Sequence, residues 1–453
     1  MNAPRLLDGA FSFSMPFMSL LRPFLADRAT RHSGAGALLV LAAAPFLLFS
    51  QMLPGWLPVA AVVYLAATLA VFTFAGPRWI DHSPFPIILG LLLLALAAGL
   101  WVTPDLTITL PRTYAFLANL AIFWAMAGQR HTLWLRLVAG GLLLIGSALA
   151  LFMLPGTQFI AGKLLFFETK LYARLPSGLS PFWNPQGFHA NLTGGLLALF
   201  LPPALLLFLR AQEWKRRLLA GLASLLIGGV ILLTQSRGAF LGLAVALPIV
   251  TSLMDRRWGR FWVLVGLAGA ALLLIWPPAR QVSILWQQSP VAGESSLLAR
   301  TELWSRALDM TGDFPFTGVG LGMFEPVLNL FYPLTEIYQR VPILHPHNIL
   351  LQHSAEMGVP GLIAHLALYG VLALLLLRRI QRPPNDGFHT LALGLLGSLI
   401  VYLIHGQFEV ITYAARAAIL VWLLWGVTAA IALHKPAPLR QEEDATPSSP
   451  ISA

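Results

Sequence analysis

The chain has 453 residues, of which 57% are hydrophobic and only 11% are charged. Soluble domains carry about 25% charged residues, so this composition excludes an ordinary water-soluble protein. Apolar runs of roughly 17–24 residues recur along the sequence, and such runs are typical of helices that cross a bilayer. The formal net charge is +10, but the basic residues stand at the ends of apolar runs, which excludes a nucleic-acid-binding face. The absence of cysteine excludes disulfides, thiolate metal sites and thiol nucleophiles.

The pattern predicts an all-α polytopic membrane protein with about twelve transmembrane helices. The predicted spans are 35–53, 56–75, 84–102, 111–127, 132–154, 189–209, 217–235, 238–254, 261–277, 358–377, 388–404 and 415–433. The first nine lie in 35–277, which includes a loop at 155–188, and the last three lie in 358–433. Residues 1–34 form a basic N-terminal segment, and 434–453 read as a short disordered tail.

Lys and Arg predict the orientation, because short cytoplasmic connections are enriched in them. One such connection contains Arg210 and 215–217, and another contains 378–382. We therefore expect both termini in the cytoplasm and the two long loops, 155–188 and 278–357, on the outer face.

The length and the aromatic residues of the loop 278–357 predict a small helical subdomain before the tenth span. Loops of this length are usually functional or disordered, and the aromatic residues of this one argue for folding. A helix is predicted from Glu294 to Met310, with an apolar stripe of Leu297, Trp304 and Leu308 that also includes Arg300. The glycines of 318–324 predict a tight turn before a short helix rather than a nucleotide-binding loop.

Two arginines are candidates for binding an anion. Ser236 is a predicted N-cap, and Arg237 would add a cation to the positive end of the following helix. Its alternative is an arginine that reaches the lipid headgroups, and the alternative for Arg300 is an exposed charge on a loop helix. Together, two guanidinium groups and a helix N-terminus would suit a pyrophosphate.

Three histidines lie near the start of the tenth span. His345, His347 and His353, with Asn348 beside them, occupy nine residues. A histidine can accept a proton from a hydroxyl near neutral pH. The spacing does not match a zinc-protease helix, so a metal site is a minor alternative and we expect none.

Some sequence features are absent. The sequence has no Asp-x-Asp pair of the usual metal-dependent sugar-nucleotide enzymes and no Walker A run. The predicted spans hold almost no charge away from their ends, which disfavours an ion-coupled transporter.

At these residues the sequence resembles the O-antigen ligase and polymerase family of bacterial envelope proteins. Arg237 and Leu241 match its Arg-x-x-x-Leu signature, and His347-Asn348 followed after nine residues by 358–361 matches His-Asn-x9-Gly-x-x-Gly. The stretch from Arg300 to Trp304, with Pro315 and the turn 318–324, is similar to a further family stretch, as is 184–187. The resemblance covers roughly residues 180–375.

The resemblance implies an integral-membrane glycosyltransferase of the bacterial inner membrane, with its active site on the periplasmic face. The donor would be a glycan on undecaprenyl pyrophosphate, and the acceptor a hydroxyl of lipid A–core oligosaccharide. His347 would be the general base, and Arg237 and Arg300 would bind the pyrophosphate. Asn348, His345 and His353 would bind substrate. No cofactor, metal or nucleic acid would be needed, and membrane lipid would surround the chain.

Three alternatives stay open. An O-antigen polymerase or a protein O-oligosaccharyltransferase would use the same donor. A lipid-linked oligosaccharide transporter is a different class, and its polar residues should line a cavity through the spans.

Overall fold

A computed structural model describes residues 28–75, 83–129, 132–160, 169–175, 187–275, 297–334, 343–382, 388–413 and 415–434. The predictions for 1–27, for 435–453, for 278–296 and for the motif 184–186 lie outside the described residues, as do parts of the loop 155–188.

The described residues form sixteen α-helices. These are α1 Arg28–Leu48, α2 Trp56–Ala75, α3 Phe85–Val102, α4 Leu106–Ala127, α5 Thr132–Gly156, α6 Thr169–Arg174, α7 Ala190–Ala198, α8 Leu201–Arg210, α9 Trp214–Thr234, α10 Arg237–Met254, α11 Arg256–Ile275, α12 Leu297–Asp313, α13 Phe324–Phe331, α14 Ile349–Ile380, α15 His389–His405 and α16 Ala415–Leu433. Two short strands, β1 Thr157–Gln158 and β2 Phe188–His189, pair in parallel. The prediction of an all-α polytopic membrane protein is confirmed.

Each predicted span coincides with one or two helices. Within the described residues, seven helical stretches are long and apolar enough to cross a membrane, and four more are apolar but shorter. The count of twelve spans therefore stays a prediction. The predicted span 189–209 is two helices, α7 and α8, because Pro202 lacks an N–H and collides with the preceding turn.

The tenth span begins earlier than predicted. Helix α14 starts at Ile349 and runs for 32 residues, with a non-helical backbone at Gly358. The predicted span begins at residue 358, where Gly358 and Pro360 resemble a helix boundary. Consequently His353, which is half-buried, and Glu356, which is buried, lie within α14 rather than in a loop. Glu356, which is 5% exposed, lies in the first part of the helix.

Helix α12 confirms the predicted helix but not its apolar stripe. Its buried face consists of Leu303, Ala307 and Met310, whereas Leu308 is exposed. These three residues, spaced i, i+4 and i+7, therefore face α14. Arg300 lies at the edge of this buried face. This arrangement removes the apparent conflict of an arginine on an apolar stripe.

The predicted glycine turn is confirmed. Gly318, Gly320 and Gly322 all have positive φ, which suits glycine, and α13 follows directly. The turn packs closely on α14, because a Cβ on Gly318 would lie 2.3 Å from the carbonyl carbon of Glu356. Gly322 N–H donates to the Glu356 carboxylate at 2.9 Å.

Ile349 at the start of α14 donates to Gly406, just after α15, and Gly238 at the start of α10 lies against His405, the last residue of α15. Helices α10 and α14 therefore begin at the end of the bundle where α15 finishes. We call this the site end. It carries the turn 405–413, the cap at Asn348 and the α12–α13 unit. The basic residues 215–217, at the start of α9, lie at the opposite end of the bundle.

Candidate functional site

The loop before α14 is held in a fixed shape by its own backbone. Asn348 caps α14, since its Oδ1 accepts the N–H groups of Leu350 and Leu351 at 2.9 and 3.2 Å. His347 has φ +51°, a left-handed conformation that few residues adopt. This turn lets His347 N–H donate to His345 Nδ1 at 3.2 Å. Asn348, predicted to bind substrate, therefore has a structural task.

The turn after α15 packs directly against this loop. Ile349 N–H donates to Gly406 O at 2.7 Å, and the Asn348 side-chain amide donates to Gln407 at 3.2 Å. Glu409 follows two residues later and is only 6% exposed. Two segments that are far apart in the sequence thus form one wall of the site.

Glu409 binds both histidines of the loop through one oxygen atom. Its Oε1 lies 3.3 Å from His347 Nδ1 and 3.4 Å from His345 Nε2. The N–H of Val410 donates to the same oxygen at 3.2 Å. Glu409 was not predicted from the sequence. It could have been noticed as a carboxylate in a short connection without Lys or Arg between two apolar spans.

The electrostatics of the cluster favour an ionised carboxylate. Burial would raise the pKa of Glu409, but the hydrogen bond from His347 and the nearby imidazoles hold it well below its usual range. Burial lowers the pKa of His345 to about 3, against the opposing attraction of Glu409. His345 is therefore neutral, and His189 on β2 adds a further imidazole within electrostatic range of both.

The hydrogen bonds assign the tautomers. Because His345 Nδ1 accepts a backbone N–H, its proton must be on Nε2, which donates to Glu409. An ionised carboxylate only accepts, so His347 Nδ1 also carries a proton. In neutral His347, Nε2 then has a free lone pair.

Arg300 reaches this wall from α12. Its guanidinium lies over the ring of Phe408, 5.9 Å from the centroid. The same helix is tied to the histidine loop by Trp304, whose indole N–H donates to Pro346 O at 3.1 Å. Arg300 therefore lies next to the residue that precedes Glu409.

Arg237 occupies the first turn of α10, and its side chain is half-buried. Ser236 takes the predicted N-cap position, but its side chain makes no capping bond. The ring of His405 lies against the next residue, because a Cβ on Gly238 would be 2.8 Å from His405 Nδ1. His405 is also within electrostatic range of Arg300 and Glu409. The turn 405–409 therefore links the start of α10 to the histidine cluster.

A third arginine supports the cluster from behind. Arg112 of α4 donates to Tyr413 O at 2.5 Å and lies over the Tyr413 ring. That ring contacts His345, with centroids 4.9 Å apart. Burial raises the pKa of Tyr413 to about 12, so it stays a neutral phenol.

His353 is not part of this cluster. It stacks on His365 with ring centroids 3.5 Å apart, and its Nε2 lies 3.3 Å from the Tyr369 hydroxyl. Both histidines line a cavity of about 80 Å³ inside the bundle, together with Glu356. His353 therefore lies apart from His347, and substrate binding by His353 stays a prediction.

A metal ion fits the cluster poorly. Among the described residues, His345, His347 and Glu409 form one group whose ligand atoms lie within 4.8 Å of one another. Zinc would need the lone pair of His345 Nε2, which forces the proton onto Nδ1. That proton would then face the N–H of His347, so two donors would oppose each other. The geometry favours a hydrogen-bonded cluster.

Fold and site together define an all-α polytopic membrane protein with a cluster of histidine, arginine and glutamate side chains at one end of its bundle. Residues 222–366, about a third of the chain, match the family model described as O-antigen ligase. The matched segment contains Arg237, Arg300 and His347, whereas Glu409 lies beyond it. No curated protein matches the chain.

Proposed function

We propose that the protein is an O-antigen ligase that transfers a glycan from undecaprenyl pyrophosphate to lipid A–core oligosaccharide on the periplasmic face of the inner membrane. The family-model match over residues 222–366 supports glycan transfer of the ligase or polymerase type by a membrane enzyme. The observation that carries the finer proposal is the Glu409–His347 pair, since it presents an imidazole lone pair beside two arginine-bearing helices.

In the proposed reaction, His347 Nε2 takes the proton of the acceptor hydroxyl. The hydroxyl oxygen forms a bond to the anomeric carbon, and the bond from that carbon to the pyrophosphate oxygen breaks. The electron pair leaves with undecaprenyl pyrophosphate, and one displacement inverts the anomeric centre. A positioned general base contributes about 10²–10⁴-fold to such a step.

The proposed role of Arg237 and Arg300 is to balance the charge that grows on the leaving pyrophosphate. Guanidinium groups bind phosphate oxygens in pairs, and fixed donors of this kind stabilise transition-state charge. Arg237 also lies at the start of α10, where the helix dipole adds a partial positive charge. Metal ions have no step in this scheme.

The experiment that tests the proposal is transfer in proteoliposomes with lipid-linked glycan as donor. Lipid A–core, a second donor glycan and a pilin-like protein are offered in turn. We expect transfer to lipid A–core, lost by about 10²-fold or more in His347→Ala at normal membrane levels. Transfer only to the second glycan would make the protein a polymerase, and transfer only to the pilin-like protein would make it a protein O-oligosaccharyltransferase. Unchanged transfer by His347→Ala would remove the proposed base.

A further inference from the structure

Four apolar side chains outside the candidate spans are exposed at the ends of α12 and α13. They are Phe314, Phe316, Leu330 and Phe331, and we call them the aromatic patch; Phe316 is 76% exposed. One contact holds the two helix ends together, since the Tyr332 hydroxyl donates to the Asp313 carboxylate at 2.5 Å. The two pairs of exposed side chains therefore lie at neighbouring helix ends.

The aromatic patch continues the apolar surface of α14, which is a candidate span. Val359 N–H donates to Pro315 O at 2.7 Å, and a Cβ on Gly358 would lie 2.7 Å from the backbone of Phe316. On α14 itself, Val359 and Ile363 are exposed apolar residues. The surface of the spanning helix thus runs into the patch.

Helix α3 fixes the level of the patch along the bundle. The glycine turn that follows Phe316 packs on the end of α3, because Gly320 lies against Gly99 and Thr103. Trp101, in the last turn of α3, is 90% exposed. Tryptophan at the end of a span is typical of the membrane–water interface, so Trp101 and the patch lie near the same boundary.

We propose that the aromatic patch inserts into the lipid leaflet at the site end and holds the α12–α13 unit on the membrane surface. Amphipathic segments bind bilayers by burying such side chains at the headgroup boundary. The continuity with α14 favours lipid over a protein partner as the occupant. The proposal does not depend on the reaction that the protein catalyses.

Insertion has a consequence for the site. Arg300 and Trp304 belong to α12, and Trp304 binds the histidine loop at Pro346. A patch fixed in the leaflet would therefore set the height of Arg300 above the membrane.

The cysteine-free chain allows a direct test with single spin labels on full-length protein in phosphatidylethanolamine–phosphatidylglycerol vesicles. Labels are placed at Phe316→Cys and Leu330→Cys. Ile363→Cys serves as the lipid-facing control, and Ser305→Cys, on the exposed side of α12, as the water-facing control. Collision rates are measured with oxygen, which concentrates in lipid, and with a water-soluble nickel chelate.

We expect the labels at residues 316 and 330 to collide with oxygen as the Ile363 label does and to avoid the nickel chelate. Collision with nickel as frequent as at Ser305 would overturn the proposal. Protection from both reagents would also overturn it, in favour of a protein contact such as a second copy. The two sites are independent, so a folding defect in one variant leaves the other to decide.

Discussion

His347 Nδ1 lies 3.3 Å from the carboxylate of Glu409, a residue 62 positions further along the chain. The carboxylate receives bonds from two imidazoles and one backbone N–H at the same oxygen atom. Glu409 thereby fixes which nitrogen of His347 is protonated and which one faces outward. A carboxylate of this kind acts through the base and is a positioning residue.

Replacing Glu409 by Gln should lower the rate of glycan transfer by about 10²–10⁴-fold, because the tautomer and orientation of His347 are no longer fixed. The KM for the lipid-linked donor should change much less than kcat. Glu409→Asp should recover part of the rate, since it keeps the charge. Glu213→Gln, in an exposed ion pair with Arg216, is the matched control. A purely structural role would lower protein levels without this division between kcat and KM.

The parts of the site that lie close together in the sequence could be predicted from it. The run from His345 to Asn348 and the arginines of α10 and α12 show chemistry through residue type and local spacing. Glu409 could not be placed, because its partner depends on how α15 and α14 pack. The same holds for Arg112, which meets Tyr413 from 301 residues away.

The start of α14 was predictable in principle. Asn348 precedes an apolar run and caps the helix through its side chain, which is a recognised N-terminal signal. Gly358 and Pro360 led to the wrong start, because a Gly and a Pro so close together resemble a helix boundary. The helix instead continues through both residues with a kink at Gly358. The error placed His353 in a loop, whereas it lies half-buried in α14 beside His365.

Lysine at position 237 or 300 should reduce transfer by about 10²–10³-fold in either variant, because it keeps the charge but loses the paired donors that fit a pyrophosphate. Arg300→Lys also loses the planar contact with Phe408. The measurement is initial rate in proteoliposomes at equal protein.

Arg306→Lys is the control for these two variants, since Arg306 lies on the same helix as Arg300 and pairs with Asp309 at 3.5 Å. It should transfer at the wild-type rate. Near-normal rates in Arg237→Lys would indicate an arginine that only reaches the lipid headgroups.

Acidification should destabilise the protein through His345. Folding lowers the pKa of this residue from 6.5 to about 3, so the unfolded chain binds the proton more tightly. The free energy of unfolding is therefore unaffected by His345 above about pH 6.5. It decreases as the pH drops toward 3, by about 2 kcal/mol at pH 5. Thermal unfolding midpoints in detergent should therefore fall less steeply with acid in His345→Asn. If the thermal midpoints of the wild type and of His345→Asn fell equally steeply with pH, that result would contradict the buried, neutral state of His345.

Transfer should continue in the presence of a strong chelator. The tautomer that the His347 N–H imposes on His345 places a proton where a metal would bind. Purified protein should accordingly contain much less than one zinc per chain by elemental analysis. Loss of activity with the chelator, and its return with zinc, would show that the cluster of His345, His347 and Glu409 is a metal centre.

Gly195→Ala should damage both stability and transfer. The new Cβ would lie 2.1 Å from His405 Nε2, and the ring cannot retreat freely because Gly238 contacts its other nitrogen. Overpacking of this kind costs about 1–3 kcal/mol, measured as a lower thermal midpoint in detergent. Gly229→Ala in α9 is the control, since its Cβ would meet nothing within 4 Å.

Adding His405→Ala to Gly195→Ala separates the clash from the role of His405 in the site. The smaller side chain removes the collision, so the double variant should regain most of the lost thermal midpoint. Transfer should stay low, because His405 contacts the start of α10 and begins the turn that carries Glu409. Full recovery of transfer in the double variant would show that Arg237 is positioned without His405.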